Sequence, residues 1–501
     1  MSSAILWAPL AFGLLGLFLP ARAVGGWATL GTVATLGLAI AAAVGFEGGS
    51  SALQYAVDEP WISGLGVDYS LGIDGLNLFL ILLTAVLWVG GVAFAAFREQ
   101  ERPKTFYFLM LVAETATLGA FLAQDLLLFV LFFDLMLVPF YFLFGAWGHD
   151  RTSEGGKTAS AATLQMIVYT LIGSLLMLVA AIATAILAAD GGHLSFSFAY
   201  LSEHGLSHGS QQWIFWFFAA AFLVKMPAFL LHGWMPDAYR AAPLPALMVF
   251  SGVLAKVGAY GFLRVVLPLF PDATVEFQEV VLLIALASIL YGSVMAFTQT
   301  NVRLIAGYSS VAQLGFITIG IFALRADGSD GAVLQMVNHG LVVAPIFVIV
   351  ALLLERTGSE DIREMGGMAL RAPVLAALFL IVALATLAMP GSANFVGEFY
   401  ILNGLFQAKI VFAFVAITGV AMSAYYALRL YQGAMHNRKP EGLLSREIGV
   451  RDGLVLVPLV LCILGLALYP QLILERTAPK VQQTVSKVNG GDAPEAKLAN
   501  K

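Results

Sequence analysis

The sequence has one cysteine, Cys462, among 501 residues, and few charges: 11% of its residues are Asp, Glu, Lys or Arg. A lone thiol closes no intrachain disulfide and cannot hold an iron–sulfur cluster, which takes several cysteine ligands. No G-x-G-x-x-G, Walker sequence or metal-ligating cluster occurs. GLGVDYS at 64–70 has two glycines of a phosphate loop but lacks the third, and any strand context. Redox chemistry and nucleotide hydrolysis are therefore not expected of this chain alone. The shortage of charge excludes a soluble globule of this length, whose water-facing half needs charged side chains.

What is present is apolar sequence, 60% of the chain. Runs of about twenty residues without a charge read as membrane-spanning helices, here 3–21, 23–46, 76–97, 158–189, 280–302, 304–324, 331–354 and 453–474. Their hydrophobicity is continuous, not alternating, which favours helices over a barrel. Admitting single ionisable residues gives an all-α polytopic membrane protein of about fourteen transmembrane helices. They cover 3–21, 26–46, 76–97, 105–123, 126–147, 160–188, 212–232, 243–264, 280–300, 303–323, 331–353, 373–407, 410–431 and 453–474. The twelfth is too long for one crossing and contains MPGS at 389–392, so it reads as two half-helices. The first segment lacks a basic leader and cleavage site and reads as a retained helix.

Lys and Arg favour loops on the inner side. With both termini outside, the inner loops hold Arg22, Arg98, Arg102, Lys104, Arg151, Lys157, Arg240, Arg303, Arg356, Arg363, Arg371, Arg429, Arg438, Lys439, Arg446 and Arg451. The outer loops and helix ends hold only Arg264, Arg325 and Lys409, beside acids such as Asp58, Glu59, Asp272, Glu276 and Glu279. SEDIREMGGM at 359–368 reads as a solvated inner loop, and the polar stretch 475–501 as a poorly ordered tail. The expected layout is helices 1–3 over 1–104, five-helix units over 105–264 and 280–431, a last helix over 453–474, and the tail.

Glu114, Asp134, Lys225, Lys256, His339 and Glu398 fall inside these apolar helices. A charge at mid-membrane costs about 2.5–3.5 kcal/mol on insertion scales. Such residues must face protein or a water-filled path. Structural ion pairs, or lysines reaching an interface, are the plainer reading, but Lys225 lies about ten residues from either end of its helix. The functional reading is a proton relay. Burial weakens a lysine's hold on its proton and a nearby carboxylate restores it. At about 4 Å and an effective dielectric near 20, one pair is worth about 4 kcal/mol, roughly a thousandfold in proton affinity. Pro227 follows Lys225 closely, and Pro390-Gly391 interrupts the helix carrying Glu398. Interrupted helices at corresponding places in two halves point to an ion site in inverted-repeat transporters. Helices 4–8 and 9–13 are such halves, with the seventh and twelfth broken.

FFDLMLVPFYFLFGAWG (132–148), FLVKMPAFLLHGWMPDAYRAAPLPALMVFSGVLAKVGAYGFLR (222–264), NVRLIAGYSSVAQLGF (301–316), QMVNHGL (335–341) and MPGSANFVGEFYIL (389–402) carry a resemblance. Together with SLGIDGLNLFLILLTA (70–85), they resemble the antiporter-like membrane subunits of complex I, the proton-pumping NADH–quinone oxidoreductase. MLVPFYFLFGAWG and YTLIGSLLML bring the chain nearest the M-type branch. The resemblance implies two inverted repeats and a proton path along the middle of a plasma or inner membrane. It makes Lys225 the seventh-helix lysine paired with the acid Asp134, and Lys256 the central eighth-helix lysine. His339 becomes an eleventh-helix relay member and Glu398 the twelfth-helix terminal residue, with Glu114 a second acid near Lys225. It implies no cofactor here; partner subunits hold FMN and iron–sulfur clusters, and quinone is the substrate of the whole complex. The chain departs from the family twice: Asp134 stands where Glu is usual, and Gln313 where His is common. The shorter acid lengthens its contact with Lys225 or passes it through water, and a relay step at Gln313 is water-borne. A multisubunit sodium/proton antiporter, a membrane-bound hydrogenase, a structural membrane scaffold and an autonomous solute carrier are the competing readings.

Overall fold

The computed structural model describes residues 1–150, 156–437 and 446–490. Arg151, Arg438 and Lys439 of the loop-charge pattern, and 491–501 of the tail, lie outside the described residues. Among those described, 11 helices are long and apolar enough to cross a membrane. Shorter apolar helices cover Ser2–Gly16 and Pro373–Thr386.

Three helices form the centre. Leu244–Leu269 and Val302–Phe322 are buried throughout their most apolar windows, and Ala326–Thr357 almost throughout. Wrapped by protein, these helices can carry polar side chains that a lipid-facing helix could not. The outer helices show the opposite pattern. Ala159–Ala188 exposes Leu164, Val168, Leu171, Ile172, Leu175, Val179, Ile182 and Ile186, a helical stripe facing outward.

Two crossings are interrupted and a third is kinked, each with a local cause. His208–Lys225 stops at Lys225 and resumes as Met235–Ala241. Pro227 has no N–H to donate, and Ala228 N reaches back to Leu223 O at 2.9 Å. The Trp234 indole takes the carbonyl of Val224 at 3.1 Å. The twelfth crossing divides into Pro373–Thr386 and Ala393–Ala408 as expected. There Met389 N closes onto Leu384 O at 3.1 Å, with Ala388 and Gly391 at φ +54° and +92°. The kink is new: Leu126–Trp147 is one span in which Met136 keeps helical dihedrals (φ −56°, ψ −31°), and Pro139 leaves the carbonyl of Leu135 without its usual donor.

The all-α expectation needs correction outside the bundle. Gln54–Ile62 and Val67–Ile73 pair as an antiparallel hairpin, with Glu59 opposite Tyr69 and Val57 opposite Leu71. The loop-like GLGVDYS is its turn and second strand. A Cβ on Gly66, at φ +65°, would overlap Leu194 O, so glycine is required there. The tail expectation is likewise corrected over Gln471–Val488, which is a helix. Ile473, Leu474, Thr477, Val481, Thr484, Val485 and Val488 are buried at a 3.6-residue period. That periodicity, not the mean polarity of the segment, decides its structure.

The 359–368 loop is also less solvated than expected. Glu360 is buried, and its carboxylate receives Arg303 NH2 at 2.7 Å and Nε at 2.9 Å. Arg303 NH1 donates to the carbonyls of Ala242 (2.5 Å) and Tyr239 (3.2 Å), pinning three elements together. Removing one partner of a buried pair leaves the other uncompensated, at about 3–5 kcal/mol. Arg303→Ala is therefore expected to destabilise the protein by that amount, read as a drop in thermal unfolding temperature. Arg303→Lys, which keeps the charge but not the fork, is expected to recover only part of it.

Candidate functional site

The sequence-singled residues lie within the bundle on different helices. Lys225, at the broken end of His208–Lys225, is buried. Its Nζ donates to Phe133 O at 3.2 Å and stands 4.3 Å from the centre of the Phe133 ring. Asp134 is the next residue along, yet no Lys225–Asp134 ion pair forms within 4.0 Å. Asp134 Oδ1 has no hydrogen-bond partner. It borders an outward groove lined by Leu131, Val138, Tyr141 and Leu171.

Lys256 is fully buried and donates from Nζ to Ser251 O at 2.9 Å. It lies on a turn bracketed by two π-helical segments, Phe250–Leu254 and Phe262–Val266. Wider turns of this kind free carbonyls and recur at functional sites, and Ser251 O is the carbonyl used. Gly258 admits the Phe222–Met226 turn: a Cβ there would sit 2.9 Å from Phe222 O and 2.8 Å from Met226 Cγ. The absent side chain brings the helix end bearing Lys225 against the turn bearing Lys256.

His339 follows on Ala326–Thr357, buried, with Nδ1 unpartnered and within electrostatic reach of Lys256. Gly340 and Gly252 let these two helices touch: a Cβ on Gly340 would lie 2.7 Å from Gly252 O. At the far end Glu398 Oε1 accepts from Gln313 Nε2 at 2.8 Å, and Gln313 Oε1 accepts from Gln335 Nε2 at 2.8 Å. Gln313 thus bonds Glu398 directly, but its amide does not titrate, so a proton step past it still needs water. Glu398 Oε2 and the buried Tyr426 hydroxyl are left without partners. Glu114 is fully buried with both oxygens unpartnered, and no lysine pairs with it.

Buried neutral polar residues lie on the same helices, and charge-based reading missed them. Asn338 Nδ2 donates to Ala393 O at 2.7 Å, fastening the eleventh helix to the start of the second half of the twelfth. Asn338 Oδ1, both amide atoms of Asn394, Ser392 Oγ and Ser251 Oγ are buried without partners. The signal for them was spacing: Gln335, Asn338 and His339 stand at i, i+3 and i+4, and Asn394 and Glu398 at i and i+4, each set on one helix face. A buried polar atom left dry costs about 1–3 kcal/mol. So many in one row mark a polar interior able to order water between fixed donors and acceptors.

Gly397 sets one spacing in that row. A Cβ on it would overlap Gln335 Oε1 and lie 3.1 Å from Gln335 Cβ. Gly397→Ala is expected to push Gln335 off Gln313, at about 1 kcal/mol for one hydrogen bond. Proton transport should slow several-fold with assembly unchanged, as read by pH-dye quenching in vesicles.

Residues 123–423 match the family model described as NADH:quinone oxidoreductase/Mrp antiporter, transmembrane. The NADH-quinone oxidoreductase subunit M of Escherichia coli strain K12 is 37% identical over 462 residues, which is 90% of this chain and 90% of that protein. A chain in the structure of respiratory complex I from Thermus thermophilus with bound NADH superposes with a TM-score of 0.89 at 30% identity, covering 97% of this chain and 100% of that one. A chain of the Mrp complex from Dietzia sp. is similar in fold alone, with a TM-score of 0.82 at 20% identity over 97% of this chain and 99% of its own length. With the buried polar row on central helices, these similarities place the chain in the family of antiporter-like membrane subunits shared by NADH–quinone oxidoreductases and Mrp antiporters.

Proposed function

We propose that the chain is the M-type, proton-translocating subunit of a respiratory NADH–quinone oxidoreductase in the plasma or inner membrane. It performs no redox step. Quinone reduction in partner subunits that carry FMN and iron–sulfur clusters drives changes of charge pairing here. The observation that carries the reading is the row from Asp134 and Lys225 through Lys256 and His339 to Gln335, Gln313 and Glu398. In it amines, imidazole and carboxylate alternate with neutral hydrogen-bonding groups. Glu114 adds a carboxylate beside the first part of the row.

Lys225 is held by a neutral carbonyl while its acid stands one residue away, so its charge is stabilised only in part. Bringing the Asp134 carboxylate up strengthens the lysine's hold on its proton; withdrawing it releases the proton toward Lys256. Lys256 has no carboxylate in contact, and a charge placed there is stabilised only by neutral dipoles. A proton on Lys256 thus raises the energy of one on His339, and the two sites fill in turn. Gln313 turns its amide toward Glu398 and its carbonyl toward Gln335, fixing the direction of the last polar step.

The crossings number fourteen, in two inverted five-helix repeats with the seventh and twelfth helices equivalent. In support, both breaks close by the same wide backbone turn, Ala228 to Leu223 and Met389 to Leu384. Both termini lie outside. In support, Ser2 bonds Tyr55 O of the hairpin, the helix Gln471–Val488 approaches Gly75, and the hairpin is acidic.

The length of the acid at 134 tests the reading. Asp134→Glu adds the methylene that closes the gap to Lys225 and is expected to retain pumping. Asp134→Asn removes the switchable charge, and proton transport through this subunit should fall at least about tenfold, the worth of about 1.4 kcal/mol. Proton uptake per quinone reduced, in liposomes containing the purified complex, distinguishes them. Equal ratios for Asn and Asp would remove this acid from the path.

A further inference from the structure

One buried ionic cluster is left unused by this path. Asp74 lies just before the helix Leu78–Ala96, with its side chain 1% exposed. Arg264 NH2 is 2.6 Å from Asp74 Oδ1, and Lys480 Nζ is 3.7 Å from Oδ2. Arg264 Nε donates to the Tyr260 hydroxyl at 2.8 Å, and that hydroxyl donates to Phe121 O at 3.0 Å. One carboxylate therefore joins the exit of the hairpin, the end of a central helix and the amphipathic helix Gln471–Val488. Arg264, assigned from sequence to an outer helix end, is buried.

The cluster stands at the end of a stripe. Lys256, Tyr260 and Arg264 are spaced i, i+4 and i+8 and follow one face of the helix over about 12 Å. Past Arg264 opens a cavity of about 220 Å³, lined in part by Asp74, Gln124, Ser202, Lys480 and Lys487. Its walls are largely apolar, Leu53, Phe198 and Leu263 among them, but the polar groups at its lining offer partners, and the volume is roomy enough for several waters. It runs from the hairpin face to within about two helical turns of the central lysine. Left open to protons, such a passage would short-circuit a pump.

The charges there oppose that leak. Arg264, Lys480 and Lys487 outnumber the single carboxylate. A guanidinium does not release its proton and cannot hand one on. Burial alone would raise the Asp74 carboxyl, but Arg264, followed by Lys480, holds it below the usual carboxylate range. It stays ionised and paired, and serves as an anchor for Arg264 instead of a proton acceptor.

We infer that Arg264, pinned by Asp74 and flanked by Lys480, is an electrostatic seal that bars protons on the hairpin face from Lys256, with the Gln471–Val488 helix as its cap. The inference rests on Lys256 lying on the proton path. Positive charge and fixed dipoles at a constriction exclude protons by the same means in other membrane pores.

The test is passive proton leak in liposomes holding the whole complex, without NADH, after an imposed pH step. Asp74→Asn with Arg264→Gln removes the guanidinium and its carboxylate anchor together, so neither is left buried alone, while Lys480, which is partly exposed, loses its partner. The ΔpH should then decay about tenfold faster than with the parent complex, the effect of a barrier lowered by about 1.4 kcal/mol. Adding Lys256→Met to that pair should restore the tight membrane, because the leak runs through Lys256. Lys480→Met, at a partly exposed site, should give a smaller leak, and it carries the test if the double variant does not assemble. An unchanged decay rate overturns the seal, as does a leak that persists without Lys256. Either result leaves the pumping assignment standing, since that assignment falls only if Lys256→Met alone pumps normally.

Discussion

Lys225→Met should leave quinone reduction running while the protons moved per quinone fall by this subunit's whole share. Methionine keeps an apolar side chain of similar length but loses the bond to Phe133 O, the ammonium over the Phe133 ring and the charge that Asp134 modulates. A positioned acid–base group contributes about 10²–10⁴-fold to proton transfer, so transfer along this row should drop at least about 100-fold. Assembly should persist, because the amine's one hydrogen bond is to a carbonyl and it holds no carboxylate within ion-pair distance. The check is the ratio of protons translocated to NADH oxidised, alongside native electrophoresis of the complex. An unchanged ratio with intact assembly would take Lys225 out of the mechanism.

Lys256→Met separates function from stability by sign. Lys256 is fully exposed to protein and not at all to solvent, with one neutral carbonyl in contact. A buried charge without a counter-charge carries a desolvation cost that an apolar side chain of similar volume does not, so the replacement is neutral or stabilising. Thermal unfolding of the variant should therefore occur at the same temperature or higher, while its transport falls about 100-fold or more, as for Lys225. A structural role for this lysine makes the opposite prediction, with lower stability and preserved pumping. Differential scanning fluorimetry and the same proton-to-NADH ratio decide between them.

The charged members of the row could be read from sequence because a lone Lys, Asp, Glu or His inside an apolar run carries its cost with it. Pro227 and Pro390 likewise announced the interruptions beside Lys225 and Glu398. Pro139 was equally visible, but without a charge beside it in the motif it passed as an ordinary membrane proline. Gln335, Asn338, Asn394 and Tyr426 lack a charge signal; their meaning comes from which helices meet, as at Gly252 and Gly340 or Gly397 and Gln335. The Asp74–Arg264–Lys480 cluster was further out of reach. Its members are drawn from positions 190 and more residues apart, and Lys480 lies in a stretch whose polarity hid a helical period. Arg303 and Arg356 fitted the positive-inner pattern by location. Their work is local: each fastens backbone carbonyls at a helix end.

The close approaches at Gly320, Gly328, Gly331 and Gly404 bear on how the row can change state. A Cβ on Gly331 would lie 2.6 Å from Ile401 N, and one on Gly328 would lie 2.8 Å from Gly320 O. Main chain rests on main chain along the tenth, eleventh and twelfth crossings, with no layer of side chains between to act as a bearing. A piston stroke of the half-helix carrying Glu398 would drive peptide groups into one another. On the proposed relay reading, the far half transmits by reorienting side chains and water within a stationary frame, like a circuit in a fixed housing and not like a crank.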